Sequence, residues 1–343
     1  MDLFEKKANR EYIVAKLERT ELYDPFKCKT SEKWDNFISD ITLRNMEVCK
    51  EFVSYYRIRS MDFSPSGEQL ITGNGNRIDL YMTAKPRAIH SYQTKKRGCN
   101  IIKYYSCGEK VVHTTTKCGH DIQLLSLATS KYFAMYTGHR KRVQSISTPL
   151  LNDALLLSGS KDSTVRFWDI RCQYAYGRID MPGPVMCMYH PSGLYLATAV
   201  DDCIQVYDSR YVFKGPLYRY MPNPTMHNLS GLKYSYDGRK LLVTYNNALH
   251  LFDSDNLLPI KQMTGFCRGE YVKIQASFTP DSNFVVTGGT GGSIHAYSTD
   301  CDNTIINLET ITPNAIESVL FNPFYLMMVS ASGTLRFWMP SCK

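Results

Sequence analysis

The chain of 343 residues contains no run of 18 apolar residues, so no membrane-spanning helix is expected. Its opening stretch, MDLFEKKANREYIVAKLERTEL, is broken by charges throughout and lacks the apolar centre of a secretory leader. The 11 cysteines form no Cys-x-x-Cys pair. Their odd number and irregular spacing argue against a disulfide framework and against a zinc site. They read as reduced, mostly buried thiols of a cytosolic or nuclear protein. In that setting the glycosylation-type triplet from Asn228 to Ser230 has no consequence.

Catalytic signatures are missing too. No Gly-x-Ser-x-Gly, His-Glu-x-x-His or paired-carboxylate motif occurs. TGGTGGS, residues 287–293, is rich in glycine but lacks the Lys-Ser/Thr that follows in a phosphate loop. KCGH, residues 117–120, looks like a metal fragment in isolation. Both stretches fall where a repeating unit needs a hairpin turn, which is the reading adopted for them. No cofactor, no metal and no enzymatic activity are expected. The formal net charge of +8 suits acidic partners, yet it is too small to demand nucleic acid, and direct nucleic-acid binding is not expected.

What the chain does have is a repeat. Apolar strand, Gly- or Asn-rich turn, and strand ending in an aromatic recur in MDFSPSGEQLITGNGNRIDLYM, MYHPSGLYLATAVDDCIQVYD, LKYSYDGRKLLVTYNNALHLFD and their kin. Turn positions Pro65, Cys107, Pro149, Pro191, Tyr236, Pro280 and Pro323 are separated by 42, 42, 42, 45, 44 and 43 residues. A period of that length with four strands per unit is the mark of a β-propeller. One four-stranded blade cannot bury both faces, whereas seven packed radially can. The last repeat, ending LRFWMPSCK, is one strand short. Met46 to Phe52, which has β character, is predicted to supply that strand and close the ring. The expected architecture is therefore an all-β, seven-bladed propeller over 43–343, preceded by an extension over 1–42. Leu3, Phe4, Tyr12, Ile13, Leu17 and Leu22 give that extension an amphipathic helical pattern. It is read either as a helix against the propeller side or tail, or as an arm that binds a partner.

The third unit, with Gly138-His139, LLLSGSKDSTVRFWDIR (155–171) and Trp168-Asp169, resembles a WD repeat, and the chain as a whole resembles a WD-repeat propeller. In that family a His, a Ser, an Asp and a Trp form a hydrogen-bonded line through the blade. By resemblance the line here is His139, Asp162, Trp168 and either Ser158 or Ser160, of which Ser160 is taken as the structural member. Elsewhere the Trp position holds Tyr81, Leu125, Tyr207, Phe252, Tyr297 and Trp338, so most blades are expected to rest on apolar packing. The Gly-His junction is followed by Arg140, Lys141 and Arg142, and one unit earlier the same junction carries Lys95, Lys96 and Arg97. In WD-repeat propellers such junctions lie on the narrow face where partners bind. Two adjacent basic junctions are expected to form one patch suited to a peptide with carboxylates or phosphates, or else simply a solvated rim.

A narrower likeness runs through LRNMEVCKEF (43–52), DFSPSGE (62–68), KYFAMYTGHRKRV (131–143), YDSRYVFKGP (207–216), LSGLKYSYDGRKLL (229–242), QASFTPDSNFVVTGG (275–289) and LRFWMP (335–340). These resemble the WD-repeat subunit shared by COMPASS-type histone lysine methyltransferase complexes and by protein phosphatase 1 and cleavage-polyadenylation complexes. YDSRYVFKGP and ASFTPDS carry most weight, because no propeller rule requires them. The resemblance implies a nuclear, non-enzymatic adaptor, monomeric within hetero-complexes. It would grip segments of a methyltransferase catalytic subunit or a phosphatase scaffold and link them to transcribing RNA polymerase II. It also implies partner-facing roles for Arg140, Lys141 and Arg142 and, more weakly, for Lys95 and Lys96. The alternative is an interaction propeller of another assembly, such as a ubiquitin-ligase substrate receptor or an RNA-processing particle.

Overall fold

Middle strands with near-continuous apolar sequence, such as KLLVTY and YLATAV, belong where both faces are covered. Alternating strands belong at an edge. The computed structural model arranges them in that way. It describes residues 38–341 apart from 55, 95–96, 106–107, 118, 150–153, 202, 222–227, 246–247, 267–273, 301–304 and 310–313. The described strands form seven antiparallel sheets of four strands each. Blade one runs Ser60–Phe63, Gln69–Gly73, Arg77–Met82 and Arg87–Gln93, and blade two Ile102–Tyr105, Lys110–Thr114, Ile122–Ser126 and Tyr132–Tyr136. Blade three runs Val143–Ser147, Leu155–Ser160, Thr164–Asp169 and Ala175–Asp180, and blade four Met186–Tyr189, Tyr195–Val200, Cys203–Asp208 and Tyr218–Tyr220. Blade five begins at Leu229, blade six at Ala276 and blade seven at Ser318. In blade three the outermost strand alternates half-buried and exposed, while Leu155–Ser160 is buried from its second residue on.

The last blade borrows its outer strand. Met46–Val53 pairs antiparallel with Thr334–Pro340, from Met46 opposite Pro340 to Val53 opposite Thr334, with a bulge at Cys49. Phe52 then packs at a tilt against Tyr81 of blade one and edge-on against Phe337 of blade seven, at centroid separations of 5.1 and 5.8 Å. Just upstream, the helix Asp40–Arg44 is capped by Ser39, whose hydroxyl accepts from the Thr42 N–H. It buries Leu43 between blades six and seven, and the Ile38 N–H donates to Asp281 at 2.8 Å. The amphipathic pattern read at the start of the chain lies outside the described residues.

Seven apolar clusters hold the ring, one between each pair of neighbouring blades. One large side chain near the end of each third strand, aromatic in all but blade two, takes the same place in every sheet. Tyr81, Leu125, Trp168, Tyr207, Phe252, Tyr297 and Trp338 face Leu70, Val111, Leu156, Leu196, Leu241, Val285 and Met328 in turn. Innermost strands lie side by side around the axis without forming ladders to one another, so their backbone N–H groups need other acceptors. Side chains of the preceding blade provide them. Ser60 accepts from Ile102, Asp62 from Tyr104, Ser145 from Cys187 and Ser147 from Tyr189. Turns add latches: Asn322 Nδ2 donates to Gly67 O at 2.7 Å, and Gly67 has a φ of +72° with no room for a Cβ beside Asn322. Among the described residues Cys99, Cys187 and Cys203 are buried free thiols, whereas Cys49 and Cys172 are exposed. No described helix is long and apolar enough to cross a membrane.

Candidate functional site

Blade three carries the polar line and, attached to it, the basic segment. The Trp168 indole N–H donates to Ser158 Oγ at 2.8 Å, and Ser158 lies 2.7 Å from His139 Nε2. His139 Nδ1 lies 2.9 Å from Asp162 Oδ2. One tautomer satisfies all of this. Nδ1–H donates to the carboxylate and Nε2 accepts from the Ser158 hydroxyl, which frees the Ser158 oxygen for Trp168. Burial lowers the His139 pKa, against the pull of Asp162, and keeps the ring neutral. Burial alone would raise the Asp162 carboxyl. Hydrogen bonds from Thr164 Oγ1, the Arg140 N–H and His139 outweigh it and hold the carboxyl below the ordinary range.

The serine of this line is Ser158, which corrects the assignment to Ser160. The two lie on one face of the same strand, two residues apart, and only Ser158 is within reach of the Trp168 indole. Ser160 instead donates to the Lys141 and Arg142 carbonyls at 2.8 and 3.1 Å, and Asp162 accepts the Arg140 N–H at 2.9 Å. The Lys161 N–H donates to Arg142 O at 2.9 Å. Thus the buried polar residues pin the backbone of all three basic residues, leaving their side chains at the surface.

Arg140, Lys141 and Arg142 are exposed at one mouth of the ring. The Arg142 guanidinium hydrogen-bonds Asn100 Oδ1 of blade two, and Asn100 Nδ2 donates back to Val143 O at 3.3 Å. Burial lowers the Arg142 pKa, and the nearby Arg59 adds to the effect, so a further cation from the start of blade one faces the same mouth. Beside them opens a cavity of about 270 Å³ lined by Lys141, Gln144, Lys161, Pro184, Asp201, Asn228 and Leu229. Asp201 is engaged by the Leu229 N–H at 2.8 Å. Two ammonium groups over such a notch favour carboxylate or phosphate oxygens and disfavour a metal cation. Lys161 and Arg59 were not singled out in the sequence, although Lys161 sits directly before Asp162 in the turn and could have been.

The second basic junction is divided. Lys95 and Lys96 lie outside the described residues. The Arg97 guanidinium turns to the outer strand of blade two, 2.9 Å from the Met135 sulfur, in a separate cavity of about 320 Å³ with Gln123, Tyr132 and Phe133. Arg97 therefore does not share the notch of Lys141 and Lys161. In that blade His113 stands where Ser158 stands in blade three, two residues past the strand position that faces Leu125 instead of a tryptophan. Both of its ring nitrogens are buried and neither makes a well-formed hydrogen bond, although the Thr114 backbone offsets part of the burial. Burial is the main cause that brings its pKa down to about 4. Blade seven keeps half of the line: the Trp338 N–H donates to Ser330 Oγ at 2.9 Å.

Comparison with known proteins follows the same geometry. The WD domain, G-beta repeat family matches residues 130–169, the repeat with the complete polar line. WD repeat-containing protein 82 of Drosophila melanogaster is 33% identical over 309 residues, covering 89% of this chain and 97% of that protein. The COMPASS component SWD2 of Saccharomyces cerevisiae is 27% identical over 82% of the chain and 90% of its own length. The Set1 complex component swd2 of Schizosaccharomyces pombe is 24% identical over 82% and 92%.

Proposed function

The chain belongs to the WD-repeat family that includes WD repeat-containing protein 82 and the COMPASS component SWD2, and from that membership we propose that it is a non-catalytic scaffold of nuclear complexes. It binds short segments of larger subunits: those of a histone lysine methyltransferase of the COMPASS type, or of a phosphatase 1 or termination complex. Through them it serves RNA polymerase II transcription. The observation that carries this reading is the extent of the similarity. It spans nine-tenths of the yeast COMPASS component and nearly all of the fly protein, so whole rings are being compared and not one shared repeat.

The basic mouth is the proposed contact for an acidic segment, with Arg140, Lys141 and Arg142 joined by Lys161. Its backbone is already fixed by Ser160 and Asp162, so little order has to be imposed on binding. Lys95 and Lys96 are proposed as a flanking contribution.

Affinity purification of the tagged chain from nuclear extract is expected to recover methyltransferase-complex or phosphatase-scaffold subunits. A variant carrying Arg140→Glu, Lys141→Glu and Arg142→Glu is expected to lose part of that set. Recovery of ubiquitin-ligase or cytoplasmic partners alone would overturn the scaffold assignment. Full recovery by the variant would overturn the mouth as its contact.

A further inference from the structure

Eight of the 18 large apolar side chains exposed among the described residues fall between positions 174 and 221, in blades three and four. Phe213 is 68% exposed, yet it does not sit on a loose loop. It belongs to the 3-10 turn Val212–Lys214, whose Val212 is buried in the cluster between those blades. The Lys214 N–H donates to Tyr211 O at 2.9 Å and the Leu217 N–H to Val206 O at 2.7 Å. The Phe213 ring lies over Gly177 of the outer strand of blade three, where a Cβ would stand 2.6 Å from its Cζ. Beneath, Phe167 meets both Phe213 and Tyr176, at centroid separations of 6.1 and 6.0 Å. A glycine and a buried valine thus hold Tyr176, Phe213 and the neighbouring Tyr211 in solvent as a fixed aromatic ledge.

The segment that builds the ledge carries charge of one sign, although Asp169 and Asp208 lie nearby. From 209 to 236 the chain has no Asp or Glu, while Arg210, Lys214 and Arg219 follow one another closely. Arg210 and Arg171 are each held by the aspartate two positions earlier, Asp208 and Asp169. Lys214 Nζ lies instead over the Tyr211 ring, 4.2 Å from its centroid.

We propose that this ledge is a second docking surface, for a short acidic peptide that lays an aromatic or long aliphatic side chain on Phe213 and Tyr176 and brings a carboxylate to Lys214. Rigid aromatic anchors beside a cation are the composition of binding hot spots. The segment that builds it, YDSRYVFKGP, is one of the two that propeller architecture does not require. The ledge shares no residue with the notch of Lys141 and Lys161, so both surfaces can be occupied together.

The test uses the whole chain and a fluorescein-labelled peptide with one tryptophan flanked by aspartates, followed by fluorescence anisotropy. Phe213→Ser and Lys214→Glu are each expected to weaken binding by about tenfold or more. Gly177→Ala, which pushes the Phe213 ring away without removing it, is expected to do the same. The loss caused by Phe213→Ser is expected to persist in a chain that also carries the Arg140, Lys141 and Arg142 reversals, which separates this surface from the mouth. Equal binding by Phe213→Ser, or by a peptide whose tryptophan is replaced by serine, would overturn the proposal. So would loss of binding only in the mouth variant, or light scattering that shows a dimer abolished by Phe213→Ser.

Discussion

Trp168 shows how much a single side chain can carry. It is fully buried, meets the Tyr136 and His139 rings edge-on at 5.9 and 6.0 Å, and donates to Ser158. Trp168→Ala is expected to lower stability by roughly 3–5 kcal/mol, because it opens a cavity and strips a buried hydroxyl of a donor. Trp168→Phe keeps most of the volume and is expected to cost much less, and urea midpoints for the two variants measure the difference. His113 is the opposite case, a buried imidazole whose nitrogens make no well-formed hydrogen bond, with only the Thr114 backbone offsetting part of the burial. Its pKa is about 4 in the fold, against about 6.5 in the unfolded chain. The unfolded state therefore takes the proton first as pH falls. The contribution of neutral His113 is complete above about pH 6.5 and is lost on the way down to about pH 4, a swing of about 3 kcal/mol. His113→Leu is expected to flatten that part of the stability profile without destabilising the protein at pH 7.5. An unchanged slope between pH 6.5 and 4 would refute the assignment.

At the scale of elements, closure depends on one strand from upstream of the first blade. Without Met46–Val53, the Thr334–Pro340 strand would present a free edge able to pair with another molecule. A chain lacking residues 1–53 is expected to form oligomers in light scattering, while one lacking 1–37 stays monomeric. Equal monodispersity of the two would show the strand dispensable for closure. The basic segment 140–142 is a second example of element-level support. Its exposed charges are tethered to buried groups of the adjacent hairpin, so the residues that stabilise the blade also aim the contact surface.

For the whole molecule, the seven interblade clusters make the ring cooperative, since each blade covers its neighbours and none is dispensable. Long-range electrostatics also belong to this scale. Reversing Arg140, Lys141 and Arg142 removes six positive units from a formal charge of +8, leaving +2. The fold is expected to hold, because Arg140 and Lys141 are exposed and Arg142→Glu gives up one interblade hydrogen bond, to Asn100. Affinity for an acidic peptide at the mouth is expected to fall about tenfold near 0.1 M salt, with wild type and variant converging as screening shortens the Debye length to about 3 Å at 1 M. Salt-independent affinity would mean that the mouth is only a solvated rim.

The repeat spacing, the shortfall of one strand in the last unit and the β pattern of 46–52 were enough to determine the blade number and the closing strand. All three are properties of the linear order: the period sets the sheets, and unpaired edges must be covered. Linear order also placed Tyr81, Leu125, Tyr207, Phe252, Tyr297 and Trp338 in the position of Trp168, and the register matches. Whether Ser158 or Ser160 completes the polar line was not legible. Both lie on the same strand face, and only the position of the Trp168 indole in space distinguishes them. Nor could sequence adjacency show that Arg97 turns toward Met135 and away from the mouth, or that Phe213 is held outside the core by Gly177 of the neighbouring blade. Those outcomes depend on side-chain contacts within a blade or between consecutive blades, which exist only once the strands have packed in three dimensions.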